Sequence, residues 1–330
     1  MDATNLALFW VAVVGASIMM YVILDGFDLG VGILSGIAGN EARRDHMIAT
    51  ISPFWDGNET WLVVIGTTLF AAFPAVYAVF LPAFYLPVLL LLFGLIFRGV
   101  AFEFRVHGTG RRFWEVGFCI GSLVATFVQG AAIGAMIRGI PVTDGQYSGG
   151  PLEWLAPLPV LTGLGLILGY ALLGACWIVW KTDGSIHEWA RGLIPRLAIA
   201  TLCVLATAAI LSLGDRDRIA SHLPDRAWGF IFPVLAVVSL ASAVFGKRTR
   251  GDHWPFVMTS LFFMFAFATL AVVFWPFMIP YTLTVGNAAA PDQSLSFLFW
   301  GAGIVVLPLI AAYTVGVYRV FGGKISSGYE

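Results

Sequence analysis

The sequence has few charged side chains: 11% of its 330 residues are Asp, Glu, Lys or Arg, whereas soluble domains average about 25%. Hydrophobic residues make up 59% of the chain, above the usual range of about 45 to 50%. This composition excludes a soluble fold and predicts an all-α polytopic membrane protein. The formal net charge of −1 provides no basic surface for nucleic acid.

The chain is also poor in cysteine and histidine. Cys119, Cys176 and Cys203 lie in separate apolar runs, which predicts core thiols and no redox pair or metal site. Membrane redox proteins usually hold haem or copper through imidazoles inside their helices. The five histidines map instead to loops or helix ends: His46, His107, His187, His222 and His253. The sequence therefore predicts a chain that binds no haem and no metal of its own.

Nine apolar runs are long enough to cross a bilayer core about 30 Å thick, which needs about 20 residues per helix. They cover residues 6–38, 58–80, 83–104, 115–138, 157–180, 193–213, 227–245, 256–279 and 295–320. The second and third runs are nearly continuous, and Leu81-Pro82 is expected to form a tight outer turn between them. The first run has no basic residue ahead of it and is expected to remain as an uncleaved span.

Lysine and arginine predict the orientation, because cytoplasmic loops retain positive charge. One set of loops carries only Arg138, Arg216, Arg218 and Arg226. The other set carries Arg43, Arg44, Arg105, Arg111, Arg112, Lys181, Arg191, Arg196, Lys247, Arg248, Arg250, Arg319 and Lys324. This asymmetry predicts an outer N-terminus and a cytoplasmic C-terminus.

Ionisable residues in or beside the apolar runs are the main functional candidates, because a charge inside a bilayer costs about 2.5 kcal/mol or more. Six of them fall in the first three predicted helices: Asp25, Asp28, Asp56, Glu59, Arg98 and Glu103. The two aspartates of the first helix are three residues apart and share one face. All six residues are expected to converge at one depth on the cytoplasmic side.

Structural explanations are open for most of these residues. Asp56-Gly57-Asn58-Glu59 has the form of a capping box, in which Asp56 caps a helix and Glu59 reaches back to the cap. Arg98 could neutralise either aspartate of the first helix, and Glu103 could be a solvated helix end. One arginine cannot neutralise both aspartates and Glu103, so some of these carboxyl groups are expected to exchange protons.

Uncharged residues near these acids have simpler interpretations. Phe54, Trp55 and Trp61 are typical of an aromatic belt at the membrane interface. Gln129 is expected to form a hydrogen bond between helices. Small residues let membrane helices approach closely, and the first helix has five glycines for this purpose: Gly26, Gly30, Gly32, Gly36 and Gly39.

Four segments carry recognisable motifs: DGFDLGVG at 25–32, PFWDGNETWLV at 53–63, FAAFPAVY at 70–77, and Phe97-Arg98 with Glu103. Together they resemble subunit II of the bd-type quinol oxidases, bacterial terminal oxidases that reduce oxygen to water. Beyond these segments the resemblance consists of the chain length and the nine-helix layout. It implies one integral membrane domain over 1–330, with two four-helix bundles at about 1–140 and 155–280 and a peripheral ninth helix at about 295–320.

The resemblance also implies roles for individual residues. Three haems, two of b type and one of d type, are expected on subunit I, and this chain is expected to be a haem-free scaffold that helps to deliver protons from the cytoplasm. The proton-path candidates are Asp56, Glu103, Glu59, Asp25 and Asp28, with Arg98 as their charge partner. Asp56 and Glu103 match proton-entry carboxylates, although some relatives have an aspartate at the position of Glu103. Trp61 matches a tryptophan beside an oxygen route from the lipid.

The implied partners are the haem-bearing subunit I, quinol and O2 as substrates of the complex, and the lipid of the bacterial inner membrane. A small single-helix subunit and a structural quinone occur in some members. Two other hypotheses remain open. An ion-coupled secondary transporter would use a buried Asp and Arg site between interrupted inverted repeats, although the two halves of the sequence contain no such repeated pair. A purely structural subunit would use its charges for docking.

Overall fold

The computed structural model describes residues 3–107, 110–212, 228–246 and 250–325. Within these ranges the regular secondary structure is helical apart from two short hairpins, β1 (Val142–Thr143) with β2 (Gln146–Tyr147) and β3 (Phe277–Ile279) with β4 (Leu283–Thr284). The helices are α1 (Asn5–Ser35), α2 (Glu41–Ala49), α3 (Trp55–Ala72), α4 (Pro74–Ala83), α5 (Tyr85–His107), α6 (Arg111–Arg138), α7 (Pro157–Lys181), α8 (Gly184–Ser212), α9 (Ile231–Phe245), α10 (Trp254–Phe274), α11 (Val285–Ala288), α12 (Asp292–Leu298) and α13 (Leu307–Val320). A π-helix, Phe299–Val306, joins α12 to α13.

Eight helices of the described chain are long and apolar enough to cross a membrane. They are α1, α5, α6, α7, α8, α10, the continuous helix Trp228–Phe245 that includes α9, and the continuous helix Asp292–Val320. Each overlaps one of the expected spans, so the prediction of an all-α polytopic protein is confirmed. The expected number of nine is not reached by this measure.

The expected second span at 58–80 is wrong as a single helix. Its residues form α3 and α4, which are separated at Phe73 with φ −133° and ψ 60°. Proline at position 74 lacks the N–H that would continue α3, and it is well suited to begin α4. The expected turn at Leu81-Pro82 is also wrong, because this pair lies inside α4 and the next break falls at Phe84.

Contacts between helix ends show which ends lie together at each of two opposite faces of the molecule. At one face the Thr4 hydroxyl donates to Asp292 at 2.9 Å. At the opposite face Lys324 binds Asp183 at 2.6 Å, and Arg44 binds Glu115 at 2.7 Å. The expected orientation of these faces in the membrane stays a prediction. Some residues used for it or for the histidine argument lie outside the described residues: Arg216, Arg218, His222, Arg226, Lys247 and Arg248.

Helices α1 and α7 cross with their backbones in contact. A Cβ atom added at Gly30 would lie 1.9 Å from the Tyr170 carbonyl oxygen, and one added at Gly174 would lie 2.5 Å from the Gly30 carbonyl carbon. Helix α6 approaches α1 as closely, because a Cβ at Gly32 would lie 2.0 Å from Ser122 Oγ. The expected packing role is confirmed for three glycines of α1, Gly26, Gly30 and Gly32, and for Gly36, which caps its C-terminal end.

Gly39 and Cys203 depart from their expected roles. Gly39 lies beyond the end of α1 with φ +82°, a left-handed conformation that other residues adopt only with strain. Its contribution is therefore to the backbone turn before α2 and not to helix packing. Cys203 is exposed on α8, so the expectation of a core thiol is wrong there, whereas Cys176 is buried.

Substitution of Gly30 by alanine tests the α1–α7 contact. We expect Gly30→Ala to destabilise the purified protein by about 1 to 3 kcal/mol or more, because the added methyl group overpacks a backbone contact. The matched control is Gly192→Ala on α8, where an added Cβ meets nothing within 4 Å. Thermal unfolding in detergent measures both variants, and equal midpoints would contradict this account of the crossing.

Candidate functional site

Three helices bring four of the six ionisable candidates together. Helix α1 contributes Asp25 and Asp28, α3 contributes Glu59, and α5 contributes Arg98. Asp25 and Asp28 are 0% exposed and Arg98 is 1% exposed. Because an isolated charge is costly in a low-dielectric interior, such a cluster requires internal pairing.

Arg98 supplies the positive charge of this cluster. Its Nη1 donates to Asp25 Oδ1 at 3.0 Å and to Glu59 Oε1 at 3.0 Å. The Glu59 side chain is 25% exposed, so this carboxylate links the buried pair to the cluster's edge. The expected buried pairing of Arg98 with an aspartate of α1 is confirmed for Asp25. The pairing with Glu59 was not expected.

Asp28 has a different partner. Asn58 Nδ2 donates to Asp28 Oδ2 at 2.7 Å and also to the Leu24 carbonyl oxygen at 3.1 Å. The Tyr318 hydroxyl in turn donates to Asn58 Oδ1 at 3.1 Å. The last long helix is therefore connected to the acids through one amide. Asn58 is a polar residue at the start of an apolar run, and this could have indicated that its amide has a buried partner. Nothing in the sequence near Tyr318 indicated its contact with Asn58.

Several polar atoms of the cluster have no hydrogen-bond partner among the described residues. They are Asp28 Oδ1, Arg98 Nε and Arg98 Nη2. Leaving such an atom unsatisfied costs about 1 to 3 kcal/mol, and buried water commonly satisfies groups of this kind. The cluster also contains three carboxyl groups and one guanidinium, which contacts only two of them. Both features favour the entry of protons and water.

A second branch of hydrogen bonds leads away from Asp25. Tyr21 lies one turn earlier on α1 and interacts with the Asp25 carboxyl group. Gln129 Nε2 donates to the Tyr21 hydroxyl at 3.1 Å, and the Tyr170 hydroxyl donates to Gln129 Oε1 at 3.1 Å. The expected interhelical role of Gln129 is thus confirmed, because its amide connects α6 to both α1 and α7.

The expected capping box at the start of α3 is wrong. The helix begins at Trp55, and its N-cap residue, Phe54, makes no side-chain capping bond. Asp56 therefore lies in the first turn, where its negative charge interacts favourably with the helix dipole. Asp56 is exposed and acts electrostatically on Glu59, which points to Arg98 instead of back to the cap.

Glu103 and the aromatic candidates lie around the cluster. Glu103 is exposed on α5, about 7.5 Å along the helix axis beyond Arg98, so it is outside the buried group. Trp61 is 7% exposed and Phe54 is 3% exposed. The expected interface belt is wrong for both, since Phe54 packs in a tilted arrangement on the Tyr318 ring with centroids 4.6 Å apart.

Comparison with known proteins reveals relatives along nearly the whole chain. Residues 6–321 match the family model described as cytochrome bd terminal oxidase subunit II. The chain is 30% identical to cytochrome bd-I ubiquinol oxidase subunit 2 of Escherichia coli strain K12, over 98% of this chain and 96% of that protein. It is 31% identical to cytochrome bd ubiquinol oxidase subunit 2 of Bacillus subtilis strain 168, over 96% of each.

A solved structure supports the fold independently. The bd oxidase from Geobacillus thermodenitrificans contains a chain similar to this one, with a TM-score of 0.76 at 19% sequence identity. The match covers 96% of this chain and 99% of that chain. The arrangement of helices around the acids is therefore part of a fold shared over nearly the whole length.

Charge removal at Arg98 tests the pairing within the cluster. We expect Arg98→Gln to lower the free energy of unfolding by about 3 to 5 kcal/mol, because it leaves buried carboxylates unpaired. Adding Asp25→Asn should recover part of this loss. The control is Arg138→Gln, whose pair with Glu153 is 47% and 46% exposed, and which should change stability by less than about 1 kcal/mol. A double variant as unstable as the sum of its single substitutions would contradict the pairing.

Proposed function

Since this chain belongs to the family of cytochrome bd terminal oxidase subunit II, we propose that it guides protons from the cytoplasm toward the oxygen-reducing site of its partner subunit. The chain is a multi-pass protein of the bacterial inner membrane and a subunit of a quinol oxidase complex. The proposal adds a role for its own acids within that complex. It also assigns this chain the part of a haem-free scaffold for the haem-bearing subunit I.

The observation that carries the proposal is the buried cluster of Asp25, Asp28, Glu59 and Arg98. Reduction of O2 to water consumes protons, and the hydrocarbon around the helices cannot conduct them. A relay therefore needs carboxyl groups or water molecules within hydrogen-bond reach of one another. The cluster provides carboxyl groups in excess of its one guanidinium, and unsatisfied polar atoms that can bind water.

The positions of the acids suggest an order along the relay. Asp56 is exposed on the first turn of α3 and lies three residues before Glu59 on the same face. Glu59 is partly exposed and contacts Arg98 directly. Asp25 accepts from the same guanidinium nitrogen as Glu59 and is fully buried. A proton accepted at Asp56 would thus pass to Glu59 and then into the cluster, while Arg98 stays charged and holds the carboxylates in place.

Glu103 offers a second entry point at the same face of the molecule. It is exposed near the end of α5 that Arg105 marks. Its distance from the buried group means that water would have to connect the two. We therefore propose Glu103 as a proton-collecting surface group and not as a member of the cluster. Trp61, which is nearly buried on α3, keeps its proposed place beside an oxygen route.

The histidines do not fit haem ligation by this chain. His187 is in the first turn of α8 and His253 directly precedes α10, while His46 lies on the short helix α2. His107 is the last residue of α5. No described histidine therefore lies in the middle of a spanning helix, where an imidazole could ligate a haem iron between the helices. We accordingly propose that the haems b, b and d are held by subunit I.

The transporter hypothesis is not favoured. Its buried Asp and Arg site is present, but the chain matches an oxidase subunit family over residues 6–321. The docking hypothesis differs from the relay in what it predicts for neutral isosteres of the acids. If the charges served only to dock subunit I, their neutralisation would reduce assembly together with turnover.

Neutral variants of the proposed entry residues test the relay. We expect Asp56→Asn and Glu103→Gln each to lower quinol-dependent oxygen consumption, by about tenfold for a residue that carries most of the proton flux. Assembly with subunit I, measured by co-purification and haem content, should be unchanged. Asp144→Asn is the control, because Asp144 is exposed at the opposite face with φ +50°, a conformation that asparagine tolerates.

Two results would count against this function. Normal oxygen consumption in Asp56→Asn and Glu103→Gln would leave these acids with structural roles only. Reduced haem content that parallels the loss of activity would favour docking over the relay.

Replacement of histidines tests the assignment of the haems. We expect His46→Gln and His253→Gln to leave the visible absorption spectrum of the reduced complex unchanged, because neither imidazole is placed to ligate iron. Loss of any b or d band with normal subunit stoichiometry would show that this chain holds a haem.

A further inference from the structure

A mixed group of metal-ligating side chains lies at the face that carries the basic residues, away from the acid cluster. Asp183 and His187 come from the corner between α7 and α8, and Asp252 from the turn before α10. One ligand atom from each of the three lies within 4.8 Å of the others. The sequence predicted no metal site, because the cysteines were far apart and the histidines mapped to loops or helix ends.

The orientation of His187 is the first sign of a cation site. Its Nδ1 lies 3.1 Å from the Val179 carbonyl oxygen and 3.2 Å from the Thr182 carbonyl oxygen. Both partners can only accept, so Nδ1 carries the proton and Nε2 is left to face Asp252 Oδ1 at 3.7 Å. A backbone carbonyl fixes metal-ligating histidines in the same tautomer. His187 is only 9% exposed, which limits its freedom to turn away.

A cation already occupies the space between the carboxylates. Lys324 Nζ lies 2.6 Å from Asp183 Oδ1 and 2.7 Å from Asp252 Oδ2. The Lys324 side chain is protonated at neutral pH, as lysine ordinarily is. The side chains of Lys324 and Asp183 are 37% and 75% exposed, and exposed pairs of this kind are weak. The ammonium is therefore an exchangeable occupant.

We propose that Asp183, His187 and Asp252 form a binding site for a divalent transition metal, of which Zn2+ is the representative, and that the metal competes with Lys324. One imidazole and two carboxylates suit Zn2+, with water as a fourth ligand. The exposed Asp183 can close the remaining distance by a rotamer change. Arg191, 3.5 Å from Asp252 Oδ1, stays as the partner of that carboxylate. This site does not depend on the proposed proton relay.

Exchange at the site has a local structural consequence. With Zn2+ bound, the Lys324 amine is released to solvent, whereas other contacts keep the neighbouring backbone in place. Ile325 N donates to the Lys181 carbonyl oxygen at 2.9 Å, and Lys181 Nζ donates to the Phe321 carbonyl oxygen at 2.7 Å. Zinc binding is thus expected to change the exposure of the Lys324 side chain alone, and this exposure can be measured.

Zinc binding to the purified whole complex tests the proposal. We expect wild type to bind one more equivalent of Zn2+ per complex than His187→Gln, with zinc-edge X-ray absorption showing one imidazole and oxygen ligands. Lys324→Met should bind that equivalent about tenfold more tightly, because the competing ammonium is gone. Added Zn2+ should also increase acylation of Lys324 by an amine-reactive ester, quantified by mass spectrometry.

Two further variants keep the test decisive. Asp183→Asn removes a ligand that is 75% exposed, so it should lose the same equivalent of Zn2+ even if His187→Gln fails to assemble. His253→Gln, an exposed histidine beside Asp252, is the matched control and should retain it. Zinc binding that survives Asp183→Asn, or that is lost only in His253→Gln, would overturn the proposal. So would Lys324 acylation that does not respond to Zn2+.

Discussion

Burial of Arg98 between two carboxylates is the interaction on which the inner half of the molecule depends. A guanidinium that is 1% exposed needs a carboxylate partner, and Asp25 and Glu59 supply two from different helices. This requirement fixes α1, α3 and α5 relative to one another more strictly than apolar contact would, because hydrocarbon side chains of membrane helices have little preference among neighbours. The same charges that hold the helices together form the hydrophilic interior proposed for proton movement.

Helix α1 connects most of the polar and close-packed contacts. Its glycines admit α6 and α7 to backbone distance, and its acids receive hydrogen bonds directly or through Asn58 and Tyr21. A rigid α1 is consistent with a relay, since proton transfer needs donor and acceptor atoms held at fixed separation. The network also extends to Tyr318 near the C-terminal end of the described chain, so residues about 290 positions apart in sequence share one buried group.

Sequence patterns predicted what local periodicity and composition determine. The shared face of Asp25 and Asp28 follows from helical geometry, and the packing glycines follow from their spacing on an apolar helix. The break before α4 was missed because Pro74 and Pro82 give the same local signal. At Pro74 a distant segment also stabilises the helix break, because Ala290 N donates to the Ala72 carbonyl oxygen at 2.8 Å. The partners of Glu59, Asp28 and His187 depend on contacts between distant helices, which no single segment encodes.

The π-helix at Phe299–Val306 determines which neighbouring helices the side chains of the last long helix can contact. Before it, the Leu295 carbonyl oxygen accepts a hydrogen bond from Trp10 Nε1 at 3.2 Å; after it, Tyr318 meets Asn58 on α3. Each extra residue in a wide turn offsets everything that follows by about 100° around the axis. These eight residues therefore set the rotational position of the following side chains around the helix axis, as well as the length of the helix. A one-residue deletion there would leave a continuous rod that still reaches the inner face but presents the wrong side to it.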